Sequence, residues 1–394
     1  MSSILHISYD LRSRLNRDST SAVKNLIKET SKFMDTITFD LLRVPNPKEE
    51  MVENENNKHI KLNVLGFPFG IFLVRHLNRA YKKIKKIIEE NKIDLFDIKV
   101  IHAHKLTFEG YIAYKIAKEN NIPLFVTLRQ TDFTVLKYRP DIVSRYKEII
   151  SSSEKLFVLL PIMKIKLKRF FGETFYNKHI KDKLIFLPNI IERPFKDTKN
   201  VYDKYSFLTI ARMDKRSVKR KNLKRLIEAF SLLGSKKYKL RIIGSGDYLY
   251  KVKEWCQKYN VNDRIELIGN VDNEHIDQYY STSLAFLMPS ISESFGMVYA
   301  ESLINGTPIL YSKKVLGFDG VFEKVGAGAN PFDTLSIKQS IEDLITNNEF
   351  YRKTISELKS KDAFEIFSAK HINKTLADIL KNKVEEKDIE LFSA

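Results

Sequence analysis

Residues 283–301 read Ser-Leu-Ala-Phe-Leu-Met-Pro-Ser-Ile-Ser-Glu-Ser-Phe-Gly-Met-Val-Tyr-Ala-Glu, with two apolar runs around a short loop. The first run, Ser283–Met288, has the length and composition of a buried parallel strand, which Pro289 would end. Gly296 lets the backbone approach a ligand closely, and the residues after it, 297–304, have the pattern of a helix. The stretch therefore predicts one strand–loop–helix unit of an open α/β sheet.

Two carboxylates lie in this unit, Glu293 in the predicted loop and Glu301 on the predicted helix. A carboxylate accepts hydrogen bonds in pairs, so each can bind vicinal hydroxyls, one set on a hexose and the other on a ribose. The amides and the positive dipole end of the helix's first turn suit a phosphate. Taken alone, the pair is equally consistent with one glutamate at a helix N-terminus and one solvated glutamate on the helix.

Basic residues occur upstream of this unit. Phe207–Arg212 is an apolar run that ends in an arginine, and Lys221 opens a helical pattern. Ligands bind outside the carboxyl ends of strands in open α/β sheets, so Arg212 could clamp a diphosphate while Lys221 supplies a point charge. A solvated basic loop is the alternative, because further basic residues lie nearby: Lys215, Arg216, Lys219 and Arg220. Of these, Lys219 is a weaker substitute for Lys221.

Together these motifs resemble the retaining glycosyltransferases of family 4, which have the GT-B fold and a Glu-x7-Glu signature. The resemblance implies two Rossmann-like doubly wound α/β domains facing a central cleft. It implies that Arg212 and Lys221 bind phosphate, that Glu293 positions the donor hexose, and that Glu301 holds the ribose. The chain departs from the usual family spacing, with a few extra residues between Arg212 and Lys221.

The resemblance also implies further walls of a donor pocket. Two glycine turns, Leu240–Asp247 and Ile265–Val271, follow apolar runs, and structural turns explain them nearly as well as ligand binding. The predicted donor-binding residues, besides Glu301, are Gly244, Gly246, Asn270, Val271, Ser294, Phe295, Gly296 and Met297.

In the first half of the chain, Thr127-Leu-Arg-Gln-Thr-Asp132 departs from a family segment whose histidine lies close to the donor sugar. Arg129 occupies that histidine's place. An arginine stays charged and cannot accept a proton, but it can stabilise negative charge on a departing diphosphate, so we expect a catalytic, electrostatic role. For Asp132 we expect an orienting or acceptor-binding role. A buried ion pair between Arg129 and Asp132 is the alternative interpretation.

Further residues of the first half, histidines and loop arginines, are predicted to bind the acceptor. His102 and His104 alternate along a predicted strand and so share one of its faces. A metal site there would need more ligands, and no Asp-x-Asp motif occurs in the chain, so we expect a metal-independent enzyme without a cofactor. The predicted acceptor-binding residues are Asp132, His104, Arg12 and Arg14.

Two domains are predicted, residues 1–195 for the acceptor and 196–368 for the nucleotide sugar, with a linker at about 191–204. By family analogy, the C-terminal helical segment 369–394 returns to the first domain. The predicted strands of the first domain are Ile4–Tyr9, Thr36–Leu42, Val100–Ala103, Leu124–Leu128 and Lys155–Leu160.

Composition places the chain in the cytoplasm. It has 394 residues, one cysteine and a formal net charge of +18, without a secretory signal or an apolar run of about 18 residues. Leu65–Val74 leads into a basic stretch, and Met163–Phe171 also mixes cations with apolar side chains. Both suit a helix on an anionic membrane surface at the inner leaflet. The alternative is an amphipathic helix that packs Phe72, Leu73 and Leu77 into the core.

The sequence thus predicts a retaining transferase that moves a hexose from a nucleoside-diphosphate sugar to a glycan or a polyprenyl- or lipid-linked acceptor. A role in cell-surface polysaccharide synthesis rests on the resemblance alone. A sugar-isomerising or phosphorolytic enzyme on the same architecture is one alternative. A nucleic-acid-binding protein is a weaker one, because the basic residues are dispersed and no nucleic-acid module is recognisable.

Overall fold

The computed structural model describes residues 3–9, 21–42, 50–54, 57–63, 73–192, 202–313 and 321–381. The chain divides into two compact units. Met1–Ile190 with Ala369–Ala394 forms the first unit, and Ile191–Ser368 forms the second. The predicted boundary between residues 195 and 196, and most of the predicted linker, lie outside the described residues.

The first unit alternates strands and helices. Its strands are β1 (Ser3–Tyr9), β2 (Asp35–Leu42), β3 (Glu50–Asn54), β4 (Asn57–Asn63), β5 (Ile98–Ala103), β6 (Leu124–Leu128), β7 (Lys155–Val158) and β8 (Leu184–Phe186). Its helices are α1 (Ala22–Thr30), α2 (Leu73–Glu90), α3 (Glu109–Asn120), α4 (Gln130–Tyr138), α5 (Val143–Ser152), α6 (Met163–Phe171) and α7 (Glu173–His179), with 3-10 turns at Pro140–Ile142 and Lys181–Lys183.

The eight strands of the first unit form one sheet in the order β3-β4-β2-β1-β5-β6-β7-β8. Every neighbouring pair is parallel except β3 and β4, which pair antiparallel at the edge. The chain builds outward from β1 in one direction and then from β5 in the other, which makes the sheet doubly wound.

The second unit has the same design. Its strands are β9 (Ser206–Ile210), β10 (Lys239–Ile243), β11 (Ile265–Gly269), β12 (Phe286–Leu287), β13 (Ile309–Ser312) and β14 (Gly326–Ala329). Its helices are α8 (Lys215–Arg220), α9 (Leu223–Ser231), α10 (Leu249–Lys258), α11 (Asn273–Ser281), α12 (Met297–Ile304), α13 (Thr334–Thr346) and α14 (Asn348–Ser360), followed by a 3-10 turn at Ala363–Phe367. The sheet is parallel throughout, in the order β11-β10-β9-β12-β13-β14.

The last described helix, α15 (Ala369–Leu380), belongs to the first unit. Its apolar side chains Ile372 and Leu376 are buried in a cluster with Ile4, Val100 and Phe125 of the first sheet. The part of the segment beyond residue 381 lies outside the described residues. The C-terminal helix therefore completes the core under the first sheet.

The predicted α/β class with two Rossmann-like doubly wound domains is confirmed, and most predicted strands match within two residues. The sequence analysis missed the hairpin of β3 and β4. The alternative of a solvated basic loop after Arg212 does not describe residues 215–220, which form α8.

The basic helix α2 does not expose an apolar face. Leu73 and Leu77 are at most 1% exposed, as the core-packing alternative requires, while Arg75, Arg79 and Lys82 face solvent. Residues 64–72, including most of the apolar segment before α2, lie outside the described residues. In α6, Met163, Leu167 and Phe171 are buried, and Ile165 is exposed. No helix within the described residues combines the length and apolar character needed to span a bilayer.

We expect Ile372→Ala to destabilise the first unit by about 2–5 kcal/mol, because it removes a fully buried side chain and leaves a cavity. Chemical unfolding followed by far-UV circular dichroism measures the loss. Lys374→Ala on the exposed face of the same helix is the control and should change stability by less than about 0.5 kcal/mol. Equal effects of the two substitutions would contradict the docking of α15.

Candidate functional site

The second sheet has its topological switch point between β9 and β12. From β9 the chain continues to β10 and β11 on one side, and from β12 to β13 and β14 on the other. Ligands of open α/β sheets bind outside the carboxyl ends of the strands at such a point. Arg212 follows β9 and Glu293 follows β12, so the predicted site residues lie at the switch point.

The extra residues between Arg212 and Lys221 form α8. Asp214 caps this helix, and its Oδ1 accepts a hydrogen bond from the Ser217 amide at 2.8 Å. The Arg212 side chain is half exposed, with Nε 3.7 Å from an Asp214 oxygen and a terminal nitrogen 3.4 Å from Ser217 Oγ. Two residues at the start of α8, Asp214 and Ser217, thus contact the Arg212 side chain, and the guanidinium stays half exposed.

Lys221 and Glu293 form a buried ion pair. Nζ lies 2.6 Å from Oε1, and the two side chains are only 13% and 7% exposed. Ser290 Oγ also donates to Glu293 Oε1 at 3.2 Å. Lys219, on the solvent side of α8, is exposed. Removing one partner of such a pair leaves an uncompensated charge, which typically costs about 3–5 kcal/mol.

Asn222, next to Lys221, bonds two loops near this ion pair. The sequence analysis did not identify it. Its backbone is left-handed, with φ 62°, and its side chain is 4% exposed. Nδ2 donates to the carbonyls of Pro289 at 3.0 Å and Pro331 at 2.7 Å. The Ile291 amide donates to the Arg220 carbonyl nearby at 2.8 Å. The residue type itself was a usable signal, because asparagine adopts the left-handed conformation more readily than most residues.

Glu301 is half-buried on α12 and accepts a hydrogen bond from Tyr280 OH at 2.9 Å. Tyr280 is itself fully buried, so this contact orients the carboxylate. Gly296 caps α12 with φ 80°, and a Cβ there would lie 2.6 Å from Cδ2 of Tyr299. Burial and the nearby Glu293 carboxylate raise the pKa of Tyr299, whose hydroxyl donates to the Met288 carbonyl at 2.5 Å.

The two glycines of the first turn serve close backbone packing. A Cβ on Gly244 would lie 1.8 Å from the Ala211 carbonyl oxygen, and one on Gly246 would lie 2.8 Å from that of Met213. The amide of Met213 donates to the Ser245 carbonyl at 2.9 Å. This turn therefore packs against the segment that carries Arg212. Its glycines have a structural role, and they lie next to a residue that is predicted to bind phosphate.

The remaining donor candidates differ in exposure. Asn270 is exposed, whereas Val271, Ser294 and Met297 are half-buried. Phe295 is 2% exposed and packs on Phe367, with ring centroids 5.7 Å apart. Phe295 is therefore a core residue, and it shapes the loop rather than presenting its ring to a ligand.

In the first unit, Asp132 holds a turn together. Its Oδ1 accepts from the Thr107 amide and hydroxyl at 2.9 and 2.7 Å, and its Oδ2 accepts from the Arg129 amide at 2.8 Å. Arg129 Nε donates to the His104 carbonyl at 2.8 Å. Burial raises the pKa of Asp132 and lowers that of Arg129. The geometry favours the orienting role of Asp132, which is 1% exposed.

His104 lies in a buried histidine cluster with His102 and with His6, which the sequence analysis did not single out. His6 Nδ1 and His104 Nε2 are 3.2 Å apart, and His102 Nε2 is 2.8 Å from Thr127 Oγ1. Burial lowers the pKa of His6 to about 3 and depresses those of the other two. The imidazoles are therefore neutral at pH 7. Arg12 and Arg14, also predicted on the acceptor side, lie outside the described residues.

Comparisons with known proteins indicate what the chain resembles. Residues 194–361 match the family model described as glycosyl transferases group 1. The second unit is therefore similar to group 1 glycosyltransferases. The chain is 26% identical over 350 residues to an uncharacterized glycosyltransferase of Methanocaldococcus jannaschii, covering 86% of this chain and 87% of that protein.

Two further similarities extend this result. An alpha-monoglucosyldiacylglycerol synthase of Streptococcus pneumoniae is 26% identical, covering 63% of this chain and 58% of that protein. Sucrose-phosphate synthase from Thermosynechococcus elongatus shares the fold with a TM-score of 0.71 at 17% identity, covering 97% of this chain and 99% of that one. The resemblance to glycosyltransferases with the GT-B fold is thereby confirmed.

Asn222→Gly removes the two side-chain hydrogen bonds of this candidate site but keeps the left-handed backbone accessible. We expect a loss of about 1–3 kcal/mol in stability, because buried carbonyls lose their donor. Unfolding followed by fluorescence of Trp255, the chain's single tryptophan and part of the second unit, measures it. Asn260→Gly is the control, since Asn260 is exposed and also left-handed at φ 53°. Matching losses would rule out the side-chain contacts as the cause.

Gly244→Ala should destabilise the second unit by at least about 3 kcal/mol, because the added methyl meets a backbone oxygen at a positive φ. Gly234→Ala is the control, since a Cβ there meets nothing within 4 Å. The same fluorescence assay compares them. A Gly244→Ala protein of normal stability that no longer binds nucleotide sugar would show that the glycine serves the ligand instead of the packing.

Proposed function

We propose that this protein is a glycosyltransferase that transfers a hexose from a nucleoside-diphosphate sugar to a glycan or lipid-linked acceptor, with retention of anomeric configuration. The observation that carries the proposal is the buried Lys221–Glu293 pair at the switch point of the second sheet. It holds a cation and a carboxylate side by side, the two groups needed for a diphosphate and for sugar hydroxyls.

Each charged group has a role in this proposal. Arg212 and Lys221 neutralise charge on the diphosphate, together with the amides at the start of α12. Glu293 accepts hydrogen bonds from the hexose, and Glu301, oriented by Tyr280, accepts them from the ribose. With two cations and a helix terminus available, the proposed charge neutralisation needs no metal ion at the diphosphate.

The proposed reaction breaks the bond between the anomeric carbon and the β-phosphate oxygen. The acceptor hydroxyl attacks the same face, and its proton passes to the departing phosphate oxygen. Stabilising the negative charge of the nucleoside diphosphate lowers the barrier, since these groups are preorganised before charge develops. Arg129 stays protonated, so its proposed role is electrostatic and not that of a base.

A lipid-linked acceptor at the inner membrane face is the more specific part of the proposal. One similar protein is named as an alpha-monoglucosyldiacylglycerol synthase. The exposed cations of α2 and the net charge of +18 favour an anionic surface. Because the apolar face of α2 is buried, the proposed attachment through α2 is electrostatic and should weaken as salt rises. We also propose that the reaction contributes to the synthesis of a cell-surface polysaccharide.

The test is release of nucleoside diphosphate from a panel of uridine, guanosine and adenosine diphosphate hexoses, with diacylglycerol-type and polyprenyl-linked acceptors. We expect one donor to give acceptor-dependent release and a product with the donor's anomeric configuration. Release that requires inorganic phosphate would instead support a phosphorolytic enzyme, and inverted product would overturn the retaining mechanism.

Glu293→Gln should lower transfer at least about 100-fold, because it removes the charge while keeping the shape and the hydrogen-bonding oxygen. The control is Glu274→Gln on the exposed start of α11, which should leave transfer unchanged. The variant also leaves Lys221 without its partner, so Trp255 fluorescence must show a folded second unit at the assay temperature. Full activity in a folded Glu293→Gln protein would refute the assignment.

A further inference from the structure

Three histidines of the first unit meet on one face of its sheet. His6 of β1 is paired in register with His102 of β5, so their side chains leave the sheet on the same side. His104, two residues further along, returns to that side. The strands β1 and β5 flank the topological switch point of this sheet, where open α/β sheets place ligands.

The spacing of the rings suits a metal ion. One nitrogen from each ring can be chosen so that all three lie within 4.8 Å of one another, and the His6–His104 pair is already at 3.2 Å. A tetrahedral zinc ion with bonds of about 2.0–2.1 Å requires nitrogens about 3.4 Å apart. Small side-chain rotations would therefore bring the three rings into coordination distance.

The hydrogen bonding of the cluster is incomplete. All three side chains are at most 2% exposed, yet His6 Nε2 and His104 Nδ1 are buried without a hydrogen-bond partner. Buried polar atoms without partners are rare, and these two show that contacts within the cluster do not use the full hydrogen-bonding capacity of the rings. The contact of His102 Nε2 with Thr127 Oγ1 is of the kind that orients a ligating imidazole through its other nitrogen.

We propose that His6, His102 and His104 bind one divalent transition-metal ion of the zinc class. Neutral imidazoles are the ligands that such ions prefer, and three of them leave one coordination position open.

The surrounding charges limit the affinity of this site. The guanidinium of Arg129 donates to the His104 carbonyl and repels a dication, and among the described residues no carboxylate hydrogen-bonds to the three rings. The ion would join β1 to β5 within the first unit. The proposal rests on the three histidine side chains and does not depend on the transferase reaction.

Titration of the full chain with Co²⁺, after treatment with a chelator, tests the site without any activity assay. We expect visible ligand-field bands that saturate at one ion per chain and are displaced by Zn²⁺. Because losing a supporting group typically costs about 10–100-fold in metal affinity, losing a ligand in His6→Gln or His104→Gln should cost at least that much. His275→Gln, on the exposed surface of α11, is the control and should change nothing.

Folding of the variants is checked separately by circular dichroism without metal. X-ray absorption of the Zn²⁺-loaded wild-type protein gives a second readout that needs no variant, and three imidazole ligands are expected. Failure of the wild-type protein to bind Co²⁺ stoichiometrically would overturn the proposal. So would binding that survives the cluster substitutions but is lost in His275→Gln, because it would place the ion on the surface.

Discussion

The buried ion pair between Lys221 and Glu293 is the contact on which the second unit's site depends. The two residues belong to opposite sides of the topological switch point, and burying their charges is costly unless they meet with good geometry. Asn222 and Ser290 supply that geometry, one by fixing the loop carbonyls and the other by donating to the carboxylate. The chain thus holds a cation and an anion side by side at the place where the proposed function puts the diphosphate sugar.

The local structure around β9 and β12 brings Lys221 and Glu293 together. The segment after β9 must turn back toward the loop after β12, and α8 with its Asp214 cap makes that turn. The glycine turn after β10 packs against the same segment, with Gly244 against the Ala211 carbonyl. Gly244 and Gly246, which the sequence analysis predicts as donor-binding, are therefore also the residues that allow the backbone to pack closely. Structural and functional interpretations of these glycines do not exclude each other.

In the first unit, polar side chains are buried near the switch point of the sheet. Asp132 is satisfied by two amides and a hydroxyl and thereby fixes the turn after β6. The histidine cluster instead keeps its rings neutral and leaves ring nitrogens without partners. Burial is the main cause of the lowered pKa values there, and the positive charge of Arg129 acts in the same direction on His102 and His104.

The sequence by itself determined the α/β class, the strand–loop–helix order around Glu293, and the order of Arg212, Lys221 and Glu301, because each rests on local periodicity or a short motif. Only the tertiary structure decided which charges pair, that Asn222 clamps two loops, and that His6 joins His102 and His104. These contacts join residues that are far apart in the chain, and strand order in a parallel sheet, which sets them, leaves no local pattern. The helical state of residues 215–220 was likewise decided by the capping contact of Asp214 and by burial of Val218, since a run of basic residues is also compatible with a loop.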